Sequence, residues 1–148
     1  MSKLEIRAMR GEEIESVIAI WRAAGLTRPW NDPREDIRFC RESGHGDILV
    51  GEADGAIRAA MMVGHDGHRG MVGYVGVPPE FQRHGYGGEM VAAAETWLRA
   101  RGVWKLNLLI RAGNEQVRSF YESLGYEAQP RIYMEKWLDE SRRPKPPG

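Results

Sequence analysis

The sequence predicts a single domain of mixed α/β structure, on three observations. Polar and apolar residues alternate over residues 3–8, which is the pattern of a strand with one buried face. Apolar residues recur at helical spacing over residues 14–21, which predicts an amphipathic helix. The dipeptide Asp54-Gly55, suited to a tight hairpin turn, separates strand-like runs over residues 48–52 and 56–64. A chain of 148 residues is long enough to bury one core without disulfide or metal support.

The first half of the chain continues with a second helix and a long strand. We expect the first helix to end at Gly25, and Pro29 and Pro33 prevent it from continuing into the next helix, which we place over residues 34–42. The run Met71 to Val77 is mostly apolar, so it predicts a central strand buried on both faces.

The second half predicts two further helices separated by a strand. In order, we expect a third helix ending near Gly102, a fifth strand over residues 106–110, a fourth helix between Asn114 and Gly125, and one or two closing strands over residues 126–137. The domain is assigned to residues 1–140. Residues 141–148 are basic, rich in proline and without an apolar anchor, so they predict a disordered tail.

Composition excludes several classes of protein. Lysine plus arginine and aspartate plus glutamate number 21 each, so no overall positive field favours nucleic acid. No apolar run approaches the roughly 20 residues that span a bilayer, so we expect no membrane partner. The strand-like start leaves no room for a secretory signal, so we expect a cytoplasmic location.

Metal and disulfide chemistry is not expected. Cys40 is the only cysteine, which excludes an internal disulfide and a cysteine-rich zinc site. His65 and His68 resemble a metal pair, but no further cluster has matching spacing, so no metal is assigned.

The segment from Val75 to Gly88 predicts a phosphate site, because it runs from a strand through a turn into a helix. Backbone amides at a helix start point one way and carry the positive end of the helix dipole. Glycines at 85, 87 and 88 would let a pyrophosphate approach that backbone closely, and Arg83 and His84 could add side-chain donors. Alternatively, the glycines only form a tight turn.

Two other phosphate loops do not fit the segment. A P-loop needs Gly-Lys-Ser/Thr at the helix start, where this chain has Gly87-Gly88-Glu89. The dinucleotide pattern needs a glycine where Met90 stands.

Gln82-x-x-Gly85-x-Gly87, following Val75-x-Val77, resembles the acetyl-CoA signature of the GNAT superfamily of N-acetyltransferases. The resemblance implies a mixed, mainly antiparallel, splayed sheet with helices on both faces, and acetyl-CoA as cosubstrate. It implies that main-chain groups of Val75 and Val77 contact the pantetheine and the acetyl carbonyl. The implied pyrophosphate loop consists of Gln82, Arg83, His84, Gly85, Tyr86, Gly87 and Gly88.

A second motif, Asn114-x-x-Val117-x-x-x-Tyr121-x-x-x-Gly125-Tyr126, is similar to a later motif of the same superfamily. The resemblance implies that Tyr121 protonates the departing CoA thiolate and that Asn114 approaches the cofactor. The alternative for Tyr121 is ordinary core packing.

The loop of residues 28–33 falls where the superfamily borders its acceptor pocket, and it also resembles a motif of one bacterial branch. We therefore predict acceptor contacts from Trp30, Asn31 and Asp32, with Trp30 as an apolar or cation-binding wall and Asp32 as an ammonium ligand. The alternative is that Trp30 covers the core and Asp32 caps the second helix.

The general base is unassigned, since residues 71–77 contain no acid where some relatives place a glutamate. Asp66, His65 and His68 would reach the acceptor end through water, or are simply turn residues.

The predicted activity is direct transfer of an acetyl group to a primary amine of a small molecule or peptide, in a ternary complex. Two alternatives stay open, a non-catalytic CoA sensor and a protein N-terminal acetyltransferase. A homodimer is expected by analogy with relatives.

Overall fold

The computed structural model describes residues 3–146, and these form two compact units, one ending at Leu108 and the other beginning at Leu109. The first unit contains a five-stranded sheet in the order β1-β2-β3-β4-β5. Neighbouring strands are antiparallel from β1 to β4, whereas β4 and β5 are parallel, so the sheet is mixed and mainly antiparallel, as predicted. Its strands are β1 (Glu5–Ala8), β2 (Gly46–Ala53), β3 (Ala56–His65), β4 (Gly70–Gly76) and β5 (Leu106–Asn107).

The helices begin and end close to the positions that capping residues predict. Three belong to the first unit, α1 (Ile14–Ala23), α2 (Pro33–Glu42) and α3 (Tyr86–Arg99), and one to the second, α4 (Glu115–Ser123). Short 3-10 turns cover Gly11–Glu13, Pro79–Phe81 and Glu140–Arg142. The second helix begins at Pro33, one residue earlier than predicted, because proline is well suited to the first helical position.

The sheet of the first unit is covered on both faces. Residues that alternate along β2 and β3 divide between two hydrophobic clusters: Ala60 packs with Trp21 of α1 and Ile37 of α2, whereas Met61 packs with Met90 of α3. The Trp21 indole N–H donates to the Ala60 carbonyl oxygen at 3.3 Å, which satisfies the polar atom of this buried ring. Period-two alternation therefore places the helices on opposite faces, as predicted.

The predicted hairpin between β2 and β3 is present. Asp54 and Gly55 have φ values of 53° and 77°, which is the backbone of the turn that matches the twist of two antiparallel strands.

Three predicted strand features are wrong. The fourth strand is only half buried, and Met71 is 50% exposed although it pairs with β5. The fifth strand is confined to Leu106–Asn107 instead of residues 106–110. Residues 126–137 form no strand, although their pattern favours one, because none of them has a ladder partner.

Part of the predicted tail lies in the 3-10 turn Glu140–Arg142, and residues 147–148 lie outside the described residues. Among the described helices, none has the length and apolar character needed to cross a bilayer.

Candidate active site

A bulge interrupts β4 in its second half. Ala60 of β3 pairs with Gly76, but Met62 pairs with Gly73. Between these two pairs β4 therefore contains one more residue than β3. Tyr74 lies within the bulge and has a φ of 52°, in the left-handed region that residues other than glycine rarely occupy. The bulge turns the backbone of Tyr74 and Val75 out of the regular ladder.

The segment after β4 forms the predicted turn into a helix. Arg83 and Gly85 both have positive φ values, 68° and 79°, and α3 begins at Tyr86. Gly85 is the N-cap residue, and no side chain within the described residues caps this helix. The N-cap residue of α3 is therefore a glycine that offers no capping side chain, and the positive end of the helix dipole suits an anion.

The only acidic residue in the first turn of α3 is engaged elsewhere. Glu89 accepts a hydrogen bond at its carboxylate Oε1 from the Leu4 amide at 3.0 Å. This bond joins Leu4, near the start of the described residues, to α3. The Glu89 carboxylate is therefore bonded to the Leu4 amide and does not occupy the amides at the start of the helix.

Gln82 closes the loop from within. Its side-chain Nε2 donates to the Val77 carbonyl oxygen at 2.9 Å, across the 3-10 turn Pro79–Phe81. The structure thus gives the Gln82 side chain a bracing contact, so the predicted cofactor contact from this residue would come through its main chain.

The three residues between Gln82 and Gly87 that carry large side chains differ in exposure. Arg83 is exposed, His84 is half buried, and Tyr86 is only 2% exposed. The rings of His84 and Tyr86 lie 5.6 Å apart. Because the Tyr86 ring belongs to the core, only its backbone remains for the predicted cofactor contact.

The predicted acceptor loop has a mixed outcome. Asp32 caps α2, since its carboxylate accepts from the Arg34 amide at 2.9 Å, which is the structural alternative considered above. Trp30 is 48% exposed, so it does not cover the core. Asn31 lies within hydrogen-bonding reach of the Tyr74 hydroxyl, which brings one predicted acceptor residue to the β4 bulge.

A tyrosine–carboxylate pair at the bulge was missed by the sequence analysis. The Tyr74 hydroxyl donates to Asp36 Oδ2 at 2.7 Å, and the Tyr74 ring stacks on Trp21 with centroids 4.2 Å apart. Burial, together with the Asp36 carboxylate, raises the pKa of Tyr74 well above its ordinary value, so the hydroxyl stays a donor. The available signal was a lone tyrosine in an otherwise apolar strand.

The predicted base candidates after β3 form a turn. Asp66 Oδ1 accepts from the amides of His68 and Arg69 at 2.8 and 2.7 Å, and these bonds hold the pKa of Asp66 below its usual value. His65 Nδ1 accepts from the Gly67 amide at 3.0 Å. Among the described residues, no group of three His, Cys, Asp or Glu side chains is placed to hold a metal.

The second unit contains the other predicted site residues. Asn114 Oδ1 accepts from the Val117 amide at 3.3 Å, so it caps α4, as predicted. Tyr121 is nearly buried, with its ring against Phe120 and Tyr126 at centroid distances of 4.9 and 5.5 Å. Burial raises the pKa of Tyr121. These contacts agree with core packing of the ring, and the proton-donor role stays a prediction.

The chain is similar to a known family over most of its length. The model of the Acetyltransferase (GNAT) family matches residues 14–126. An acetyltransferase of Yersinia enterocolitica is 42% identical over 137 residues, covering 91% of this chain and 96% of the relative. An acetyltransferase of Pectobacterium atrosepticum is 40% identical over 141 residues, covering 94% and 99%.

Solved structures share the fold at low sequence identity. AAC(6')-Iy in complex with the bisubstrate analog CoA-S-monomethyl-acetylneamine has a TM-score of 0.79 at 17% identity, with coverage of 92% of this chain and 99% of that chain. The PaiA N-acetyltransferase of Thermoplasma acidophilum, in complex with coenzyme A, has a TM-score of 0.73 at 19% identity, with coverage of 87% and 92%. The likeness establishes the acyl-CoA N-acyltransferase fold. Together with the family match, it places this chain in the GNAT family of acetyltransferases, as an N-acetyltransferase.

Proposed function

We propose that this N-acetyltransferase uses acetyl-CoA and transfers the acetyl group directly to a primary amine of a small molecule or peptide. The observation that carries the proposal is the junction of β4 and α3, where a bulged strand leads through a positive-φ loop into a helix whose N-cap residue is Gly85. Two structures that share the fold contain coenzyme A or a CoA-linked analog, which supports the choice of cosubstrate.

The pyrophosphate would bind at the start of α3. Amides of Gly85 through Gly88 lie at the positive end of the helix dipole, which favours an anion. Gly85 has no Cβ that would keep the pyrophosphate away from the backbone. The Arg83 side chain is exposed, and its guanidinium would pair with the negative charge of the phosphates. In this proposal the backbone amides position the pyrophosphate, and the Arg83 side chain neutralises part of its charge.

The pantetheine arm would lie along β4. Within the first unit β5 pairs only with Gly70 and Met71, so the later residues of β4 have no strand on that side. An extended amide-containing chain can add to such an edge through main-chain hydrogen bonds, here from Val75 and Val77. The bulge would then direct a backbone group toward the thioester carbonyl.

The chemical step needs a neutral amine, a polarised carbonyl and a proton for the leaving sulfur. The neutral amine nitrogen attacks the thioester carbon, forms the new C–N bond and then gives up its extra proton to water. The tetrahedral intermediate breaks its C–S bond and expels the CoA thiolate, and we assign the proton that this thiolate takes up to Tyr121, which regains a proton from solvent. Burial raises the pKa of the Tyr121 hydroxyl, so it remains protonated and able to donate at neutral pH.

Direct transfer is favoured over an acetyl-cysteine intermediate. Burial raises the pKa of the Cys40 thiol to about 11, so this lone cysteine is a thiol and a poor nucleophile at neutral pH. Its sulfur also lies beside Gly46 of β2, and the residue is partly buried.

Mass spectrometry of acetylated products tests the proposal. The protein is incubated with acetyl-CoA and a panel of diamines, amino sugars, neamine and peptides with free N-termini, and Tyr121→Phe is run in parallel. We expect an acetylated amine in the wild type and little product with Tyr121→Phe. Coenzyme A binding without acetylation of any amine would indicate a sensor, and products from peptide α-amino groups alone would indicate an N-terminal acetyltransferase.

A further inference from the structure

The bulge in β4 holds a side chain in an unfavourable backbone conformation. A non-glycine residue at a φ of 52° costs on the order of 1 kcal/mol, and such strain persists where the surrounding structure fixes it. Here the Tyr74 ring is fixed by stacking on Trp21, and its hydroxyl by the bond to Asp36. The pair joins two elements that are 38 residues apart in the chain.

The bond from the Tyr74 hydroxyl uses only one of the two carboxylate oxygens of Asp36. Oδ2 accepts the Tyr74 proton, and Asp36 is only partly buried. Arg34 pairs with Glu15, and Arg28 Nη1 donates to the Gly25 and Thr27 carbonyls at 2.9 Å, so neither side chain is shown bonded to Asp36, although the charge of Arg28 acts on the Tyr74 hydroxyl. A carboxylate side chain that is oriented beside β4 in this way is suited to a cationic nitrogen, through a charge-assisted hydrogen bond.

We infer that Asp36, oriented by Tyr74, binds an ammonium group of the acceptor and selects cationic amines over amines that carry a carboxylate or phosphate. The inference rests on the proposed function and names the acceptor class for that site. It also places an acidic group beside β4, whose own residues contain none. Asn31, within reach of the same hydroxyl, connects the predicted acceptor loop to this pair.

Asp36 contacts the acceptor directly and Tyr74 positions Asp36, so the effect of replacing either residue belongs in the binding of the acceptor. Loss of one charge-assisted hydrogen bond weakens binding by about tenfold. Replacing Asp36 should therefore raise KM for a cationic acceptor with little change in kcat. Removing only the Tyr74 hydroxyl should produce a smaller effect of the same kind, about threefold, because the carboxylate remains but is less well oriented.

The test compares two acceptors of equal chain length, 1,5-diaminopentane and 5-aminopentanoate, alongside the wider amine panel. Wild type, Asp36→Asn and Tyr74→Phe are assayed for kcat and KM, with thermal unfolding to confirm that each variant is folded. Glu35→Gln is the matched control, because it removes a carboxylate charge from the same turn of α2.

We expect the wild type to favour the diamine by at least tenfold in kcat/KM, and Asp36→Asn to abolish that preference through KM, while Glu35→Gln preserves it. Equal effects of Asp36→Asn and Glu35→Gln, or a loss of thermal stability with the preference unchanged, would show that the pair only fastens α2 to β4. A wild type that acetylates amines regardless of charge would overturn the inference and leave the proposed function intact. A wild type that binds CoA and acetylates no amine in the panel would overturn the proposed function, and the inference with it.

Discussion

The Gln82 side-chain amide donates to the Val77 carbonyl oxygen at 2.9 Å, joining the first residue of the predicted pyrophosphate loop to the residue that follows β4. The bond spans the 3-10 turn Pro79–Phe81 and fixes where the loop begins. The side-chain amide of Gln82 therefore braces the loop, and in the proposed function the contacts with the cofactor come from the backbone.

Gln82→Ala tests this bracing role. Removing one exposed hydrogen bond should lower the free energy of unfolding by no more than about 1 kcal/mol, because water replaces the lost partner. A less ordered loop should nevertheless weaken CoA binding by about three- to tenfold, as measured by calorimetry. Thr96→Ala removes a comparable bond, from Oγ1 to the Ala92 carbonyl at 3.2 Å, near the other end of α3. Equal CoA affinity in the two variants would contradict the bracing role.

Gly85→Ala tests the backbone conformation at the helix start. At a φ of 79° an alanine is strained even though nothing lies within 4 Å of the added Cβ, so we expect a loss of about 1 kcal/mol of stability. Gly67→Ala is the matched control, because Gly67 has a φ of 87°, equally open space and a place in the turn between β3 and β4. Both variants should lose similar stability in urea unfolding, and only Gly85→Ala should also weaken CoA binding. A matching loss of affinity in Gly67→Ala would show that strain alone is responsible.

Tyr121→Phe tests the proton donor. Loss of a general acid typically costs on the order of 100-fold or more in rate, so kcat should fall by about that factor while CoA binding is retained. Tyr133→Phe, at an exposed tyrosine of the same unit, should leave kcat unchanged. Since burial raises the pKa of Tyr121, any alkaline loss of activity from its ionisation should begin above the ordinary tyrosine value of about 10. An unchanged kcat in Tyr121→Phe would contradict the proton-donor role and show that Tyr121 only packs in the core.

Acid sensitivity should arise in part from an ion pair at the start of the chain. Arg7 donates to both carboxylate oxygens of Glu13 at 2.8 and 2.7 Å, and the Arg10 amide adds a third bond. The hydrogen bond from Arg7 is the main cause that lowers the pKa of Glu13 to about 2. A depressed carboxylate pKa contributes stability above the unfolded value of 4.5, and this contribution is lost as pH falls from there toward 2.

Glu13→Gln should therefore cost about 1 kcal/mol at pH 7, as measured by urea unfolding, and the difference from wild type should shrink below pH 4. Glu12→Gln, at an exposed residue of the same 3-10 turn, should have little effect at either pH. A difference that persists unchanged at pH 3 would contradict the assigned role of Glu13.

Local chemistry made much of the fold predictable. The Asp54-Gly55 hairpin, the cap at Asn114 and the positive-φ end of the first helix at Gly25 depend on residues near in sequence, so their patterns determine them. The backbone of the loop before α3 was predictable for the same reason, since strand, glycines and helix start follow one another directly, whereas its phosphate contacts stay a prediction.

Features that depend on distant partners were not predictable. Residues 126–137 were expected to form one or two closing strands, but a strand needs a hydrogen-bonded neighbour, which the residues themselves do not identify. The pairing of Tyr74 with Asp36 requires the bulge and the packing of α2, and neither can be inferred from the residues around either partner. The sequence allows Asp32 to be an acceptor ligand or a helix cap; the structure shows the cap, and the contact with an acceptor stays a prediction.

The most direct test of the central claim is calorimetric titration of the wild-type protein with coenzyme A and, separately, with pantetheine, which lacks the pyrophosphate. If the loop from Gln82 to Gly88 holds the pyrophosphate, coenzyme A should bind at least 100-fold more tightly than pantetheine, since several charge-assisted hydrogen bonds are removed. Equal affinity for the two compounds, or no detectable binding of coenzyme A, would contradict the account.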